Sequence, residues 1–430
     1  MRRPRSATRA SGLYLLAAGI ACTTSKTVPS VVRSTAGETT SVHNNTPVYT
    51  DTATLRTVMR IGRLDGPDEY TFLDIDAFTV DRRGVAYVAE DDGPLRSYDA
   101  AGRFLATVAR VGGGPGEVRN VTGLTATSDG RLIARDGGNA RLNVYGPGGE
   151  ALDHWPLRNT RTEHGQNAVI GTAGDHVHLA INPPLATGAD QVIEFPRPAF
   201  VRLGADGAAL DTVFITERYV EACPVLSDGW FRRGWHEDSR VFYIPKPKWT
   251  IGSDGSLIVG CPATYEFDVR RPDGSVLRVS RIWKPLIAST EELDAFKLGL
   301  TLESRQIGLE DWSFRGPELP RARPAYDRIL TATDGRIWVW PTQPRVPWEL
   351  PVEAVRSGLP ERFWQEPGTG AFDVFEPDGR WLGSVRIPPE WPYTPYPDTP
   401  DPFIRGDTIW AVTVDSLEVQ YLSRYEVDWP

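Results

Sequence analysis

Phe78-Thr79-Val80-Asp81-Arg82-Arg83-Gly84-Val85-Ala86-Tyr87-Val88 reads as a strand, a tight turn and a returning strand. Apolar and β-branched residues flank the turn; Asp81 can bond the turn backbone, and Gly84 takes the positive φ that closes it. The pattern returns at Leu124-Thr125-Ala126-Thr127-Ser128-Asp129-Gly130-Arg131-Leu132-Ile133-Ala134. It recurs from Trp249 to Val259 around Ser253-Asp254-Gly255, and from Ile329 to Val339 around Thr333-Asp334-Gly335. Weaker copies run from Val169 to Leu179 around Gly174-Asp175 and from Phe403 to Val412 around Gly406-Asp407.

A second hairpin follows. Ser97-Tyr98 turns at Asp99 to Gly102 into Arg103-Phe104-Leu105, and Asn143-Val144-Tyr145 turns at Gly146 to Gly149. Phe200 to Leu203 turns at Asp206-Gly207, Phe267 to Val269 at Pro272-Asp273-Gly274, and Phe372 to Phe375 at Pro377-Asp378-Gly379. Each unit is thus a four-stranded antiparallel sheet, strands A to D, and there are six units. The sixth supplies A, B and C over about 403–427, and then the chain ends. Its outer strand is expected from Thr54 to Ile61, which precedes the first A strand; pairing the two termini closes the ring and removes an exposed edge. The expected fold is all-β, a six-bladed β-propeller accounting for every apolar run from 54 to 427.

Composition agrees. The 430 residues are 40% hydrophobic, enough for a core and against a disordered polymer. Gly 41 and Pro 36 argue against a long helical bundle. The net charge of −9 and the lack of a basic stripe exclude nucleic acid as an expected partner.

Arg2, Arg3, Arg5 and Arg9 precede an apolar run from Leu13 to Ala21, too short to span a bilayer and read as an export signal over 1–21. Gly19-Ile20-Ala21-Cys22 resembles a bacterial lipobox, which implies lipidation of Cys22; Gly19 stands where that motif usually carries Leu, and plain cleavage nearby is the alternative. Residues 22–52 are Ser/Thr-rich without hydrophobic period and read as a flexible tether, leaving 53–430 as the propeller. Removing the signal takes the net charge from −9 to −13, so membrane attachment would come through lipid alone. Periplasm or outer membrane is the expected address. Cys223 and Cys261 then form a disulfide in an oxidising compartment, with two free buried thiols as the alternative.

The first two units carry a family resemblance. Val85-Ala86-Tyr87-Val88-Ala89-Glu90 is similar to the strand motif of NHL-type and TolB-like six-bladed propellers of bacterial exported proteins. Asn139 to Tyr145 resembles their Asn-x-Arg-Ile-x-Val-Phe segment, and Gly112-Gly113-Gly114-Pro115-Gly116-Glu117 their interblade linker. In motif the likeness covers about residues 73–150; in architecture it covers the chain. It implies a fold and no particular activity.

Function is sought in the connections. Strands alternate direction, so A–B and C–D turns share one face, and B–C and D–A connections the other. The long insertions, at about 181–199, 214–240, 282–325, 342–370 and 388–402, all fall on the second face. Elaborated loops on one face usually carry function. Residues 289–300 carry a helix signal, with Ser289 as N-cap, Glu292 three later, and Leu293, Phe296 and Leu300 on one side, either a lid over the channel mouth or a cover for an interblade seam. Trp230, Trp235, Trp312 and Trp348 sit in or beside the insertions, while Trp338 and Trp340 end a strand pointing to that face. They are candidates to stack sugars or anchor partners, or else form the loops' own small core.

The first polar residues of the A strands, Asp74, Asp76, Asn120, Asn167, Arg328 and Arg405, are expected to ring the channel mouth. Asp and Asn oxygens suit calcium, as in lactonase-type propellers similar to this one, and the arginines suit a carboxylate or phosphate. The mixed signs also suit ordinary salt bridges across a wet channel. His176 and His178 share a strand face without an evident third ligand, and Glu90-Asp91-Asp92 reads as a solvated loop. No G-x-S-x-G, H-E-x-x-H or phosphate-loop Gly-Lys-Ser/Thr occurs. The resulting expectation is an exported, lipid-anchored, monomeric binding module for a protein, peptide or glycan. The alternative is a metal-dependent lactonase, lyase or hydrolase acting at the channel mouth.

Overall fold

A computed structural model describes residues 30–157, 161–162, 169–171, 176–182, 199–214, 223, 245–306, 319–350, 355, 362–365, 367, 369–391 and 400–430. Six small antiparallel sheets form a propeller ring. Blade one runs Ile75–Val80, Ala86–Glu90, Leu95–Tyr98 and Phe104–Ala109. Blade two runs Val121–Ala126, Leu132–Asp136, Arg141–Tyr145 and Ala151–Pro156. Blade three is built from Val169–Gly171, Val177–Asn182, Ala199–Leu203 and Ala209–Phe214, with Arg161–Thr162 lengthening its inner edge. Blades four and five are Lys248–Ile251, Leu257–Gly260, Glu266–Arg270, Val276–Arg281 and Tyr326–Thr331, Ile337–Pro341, Ala371–Phe375, Trp381–Arg386. Blade six is Phe403–Arg405, Thr408–Val414 and Gln420–Asp428.

The turns form for the reason their sequence gives. Asp81 Oδ1 accepts the backbone N–H of Arg83 at 2.8 Å and of Val85 at 2.9 Å, while Gly84 sits at φ 82°. These contacts span only a few residues, so each hairpin is specified locally.

Ring closure is as the unfilled edge demanded. Thr54–Ile61 pairs antiparallel with Gln420–Asp428, from Thr54 opposite Asp428 to Ile61 opposite Leu422. A strand made before blade one thus becomes the outer strand of the last blade.

The hydrophobic core is divided among the seams between blades. Among the described residues, six buried clusters each draw on two neighbouring blades. In blade two, Leu132 and Ala134 face the first blade's Tyr87 and Leu95, whereas Ile133 turns to the third blade's Val177 and Leu179. A strand packed on both faces can carry apolar residues in succession, as at Leu132, Ile133 and Ala134, unlike a half-exposed strand.

The segment expected to be a slack tether is folded over much of its length. Val31–Ala36 and Thr39–Asn44 form a hairpin, and its second strand lies parallel against Val276–Arg281, extending blade four to six strands. The chain then runs along the outer edge of blade five, where Tyr49 N–H donates to Leu382 O at 2.9 Å and Ala53 N–H to Ser384 O at 2.9 Å. Residues 31–61 therefore strap blades four, five and six together. The exposed outer edges of those blades offered backbone partners, which outweighed the polar composition of the segment. Cys22 and the export signal lie outside the described residues.

Candidate functional site at the loop-rich mouth

Antiparallel pairing within every blade sends the connections from Asn182 to Ala199, Phe214 to Lys248, Arg281 to Tyr326, Pro341 to Ala371 and Arg386 to Phe403 out of one face. The Asp-Gly turns lie at the other. Two fastenings brace the loop-rich side. Cys223, in the connection before blade four, is bonded to Cys261, just past the second strand of that blade, with Cα atoms 5.5 Å apart. Helix α1, Thr290–Gln306, is capped as expected: Ser289 Oγ accepts the Glu292 N–H at 3.1 Å.

The Glu292 side chain does not complete a capping box. It is buried and paired with the Arg323 guanidinium, which anchors the helix start to the mouth of blade five. The helix lies against the insertion hairpin Val346–Glu349 and Arg362–Gln365; a β-carbon on Gly299 would stand 2.9 Å from Phe363 Cε1. The helix and hairpin make one cap rising from blade five.

At blade one the inner strand bulges, because Ile75 pairs Glu90 while Ala77 pairs Ala89, leaving Asp76 as the extra residue. Bulges re-aim a side chain. Asp76 is half-buried beside Asp91, Asp74 and Asp92; burial, followed by these three charges, raises its pKa from 3.8 to about 6. Asp74 accepts from Gln420 Nε2 at 3.0 Å, tying the cluster to blade six, and Asn120 Nδ2 donates to Asp91 at 3.3 Å, tying it to blade two. The structure brings Asp74, Asp76 and Asn120, expected at the mouth, together with Asp91 and Asp92. Glu90 is not in a solvated loop: it is buried, paired with Arg96, and accepts the Leu73 N–H at 3.0 Å.

The same bulge recurs at Asp327 in blade five, a residue the sequence reading passed over for its neighbour Arg328. Burial pushes the Asp327 carboxyl up, opposed by Lys248, Thr342, Arg345 and Arg323. Lys248 of blade four and Arg323 and Arg345 of blade five thus act on a buried carboxyl, whereas Asp76 in blade one is surrounded by like charges. Arg328 grips Asp401 through two parallel contacts, one of them Nε to Oδ1 at 3.0 Å, which makes it an interblade clamp.

Three expected placements are corrected. Arg405 does not ring the loop-rich mouth: Phe403–Arg405 is so short that Arg405 reaches the opposite rim, where Nη1 donates to Asp81 O at 3.0 Å and Nη2 to Val80 O at 3.3 Å. Trp338 and Trp340 are fully buried in the seam between blades five and six, tilted edge-on to Phe372 with ring centres 5.9 and 4.7 Å away. Trp348 is 48% exposed on the insertion hairpin and stays available. Trp230, Trp235, Trp312 and Asn167 lie outside the described residues.

His178 is buried and held neutral, its pKa lowered to about 4 by burial and by the Arg202 charge. The acidic quartet shares a field without sharing a coordination sphere. Among the described residues no group of three His, Cys, Asp or Glu side chains comes close enough to hold a metal ion. Among them, too, no helix is long and apolar enough to cross a membrane.

No protein-family model matches this chain, and no curated protein is similar to it in sequence. Similar solved structures include a Bacteroides fragilis protein inferred to be exported, at 10% identity over 90% of this chain and 99% of that one, TM-score 0.46. Virginiamycin B lyase of Staphylococcus aureus is 12% identical over 82% and 94% of the two chains, TM-score 0.37. A gluconolactonase of Xanthomonas campestris is 11% identical over 87% and 99%, TM-score 0.39. The six-bladed wheel rests on the chain's own strand pairing.

Proposed function

We propose that this protein is an exported, lipid-anchored binding module of the cell envelope that recognises a protein, peptide or glycan through its loop-rich face. The observation that carries the reading is the one-sided placement of every long connection. A scaffold without a task would spread its insertions over both rims. The disulfide and the capped helix hold that face in shape, and a preformed surface loses less entropy on binding. The half-buried acids around Asp76 favour a partner that presents lysine, arginine or amino groups, since a cation there relieves carboxylate repulsion. Trp348 on the insertion hairpin offers an aromatic face for stacking. The metal-dependent lactonase, lyase or hydrolase reading lacks a comparable support, because the mouth acids do not converge on a point.

The test uses the full chain in its cellular setting. A photo-crosslinking amino acid at Trp348, and separately at exposed Asp273 on the tight-turn face, is irradiated in intact cells. Adducts are expected from 348 and none from 273. Adducts confined to 273, or absent from both positions, would sink the reading.

A further inference from the structure

The folded hairpin changes what a lipid on Cys22 can do. About nine residues separate Cys22 from Val31, at most roughly 30 Å of extended chain. A tether slack to residue 52 would have allowed roughly 100 Å. Val31 begins the outermost strand of blade four, and Ser30 O accepts the Asn45 N–H at 2.8 Å, so the chain arrives at the outer edge of this blade. Strand twist accumulates outward through a blade, so that edge lies on the wheel's flank.

The same edge differs in character from the rest of an acidic protein. From Ser30 to Asn45 the hairpin holds one acid, Glu38, one arginine, Arg33, and one histidine, His43. Val32 is 45% exposed, and Ile282, whose N–H donates to Asn44 O at 3.0 Å, is 57% exposed at the end of the neighbouring strand. A near-neutral flank with exposed valine and isoleucine meets an anionic bilayer without the repulsion that the remaining surface would suffer.

We propose that the outer edge of blade four, around Val31–Ala36 and Ile282, is the surface of this protein that rests on the bilayer. The wheel then stands side-on, blade one farthest from the lipid, and the loop-rich mouth opens along the membrane rather than onto it. This inference rests on lipidation of Cys22 as part of the proposed function.

The full chain is made in a bacterium that processes lipoproteins and reconstituted in phosphatidylethanolamine–phosphatidylglycerol vesicles carrying a headgroup-attached quencher. Single variants Val32→Cys, Ile282→Cys and Leu105→Cys take a maleimide fluorophore; Cys223 and Cys261 are disulfide-bonded and do not react. Leu105 is exposed on the outer strand of blade one, three blades away in either direction. Loss of fluorescence is expected at 32 and 282, with emission retained at 105. The mass of the N-terminal peptide is read in the same samples. An unlipidated Cys22 overturns the anchoring and this inference together. A lipidated Cys22 with equal quenching at 32 and 105 overturns the orientation alone. A dimer in detergent whose label at 32 is shielded by the second copy also overturns it, assigning the edge to self-association.

Discussion

Asn44 and Trp381 are joined across a blade boundary: the Trp381 backbone N–H donates to Asn44 Oδ1 at 2.8 Å. Asn44 Nδ2 donates in turn to Ser280 O at 3.1 Å and Gly379 O at 3.0 Å. One fully buried amide thus satisfies backbone groups from blades four and five. Asn44→Ala leaves those groups without partners in a dry site and is expected to cost about 1–3 kcal/mol, read by urea unfolding of the soluble domain. Asn44→Asp keeps the acceptor but turns a charge on two carbonyls, and should cost at least as much. Unchanged midpoints in both variants would show that water replaces the bonds freely.

Two truncations separate the strap from the closure. A chain starting at residue 45 loses the blade-four hairpin yet keeps Thr54–Ile61 in blade six, so it should stay folded at lower stability. A chain starting at residue 62 also loses the buried Ile61, at about 1.5–3 kcal/mol, together with the partly buried Leu55 and Met59, and bares the edge of Gln420–Asp428. It should aggregate. Size-exclusion chromatography and circular dichroism decide the matter, and a soluble, folded second truncation would contradict the closure argument.

The bond between Cys223 and Cys261 closes a loop of separation 38. Replacing both cysteines by alanine should lower stability by about 2–4 kcal/mol, mainly by freeing the unfolded chain. Because the bond lies on the loop-rich face, partner capture through a photo-crosslinker at Trp348 should weaken before the far-ultraviolet spectrum changes. Capture unaffected by the double variant would show that the bond does not shape the face.

The raised pKa of Asp76 has a definite sign. The folded state binds this proton more tightly than the unfolded chain does, so the favourable contribution is full below about pH 4 and is lost as pH rises to about 6. At pH 7 the ionised group strains the mouth, and Asp76→Asn should stabilise by about 1 kcal/mol after allowance for solvent screening. The variant should also flatten the stability profile between those pH values. A cationic ligand draws the pKa back down, so binding to the mouth should strengthen over the same window. Thermal melts and titration with a lysine-rich peptide from pH 4 to 7 check both; a wild-type-like profile in Asp76→Asn would refute the assignment.

The hairpins were readable because their cause is local, an Asp oxygen bonding N–H groups two and four residues on. The closing strand was readable because a blade lacking its fourth strand leaves an edge to fill. The hairpin at 31–44 escaped because its partner lies far away: Asn44 and Ser280 stand 236 residues apart, and nothing near Asn44 in sequence announces that contact. Trp338 and Trp340 were misjudged because alternation assigns one strand face to the outside, whereas both faces of Ile337–Pro341 are buried between blades. At the mouth, Asp74 and Asp76 could be found by counting back along the inner strand. Asp327, the extra residue of the equivalent bulge, was open to the same count and was passed over for its neighbour Arg328.

The strap imposes an order on biogenesis. Residues 31–61 are made before any blade, yet beyond the pairing within their own hairpin their backbone partners belong to Val276–Ile282, Trp381–Arg386 or Gln420–Asp428. Their docking sites arise in stages, blade four's with Val276–Arg281 and blade six's only with Gln420–Asp428. The leading segment can therefore complete its contacts only after the last blade's strands are made. Maturation then ends with that last pairing, so a nascent chain stalled before the last strand would display an unclosed ring to the quality-control machinery.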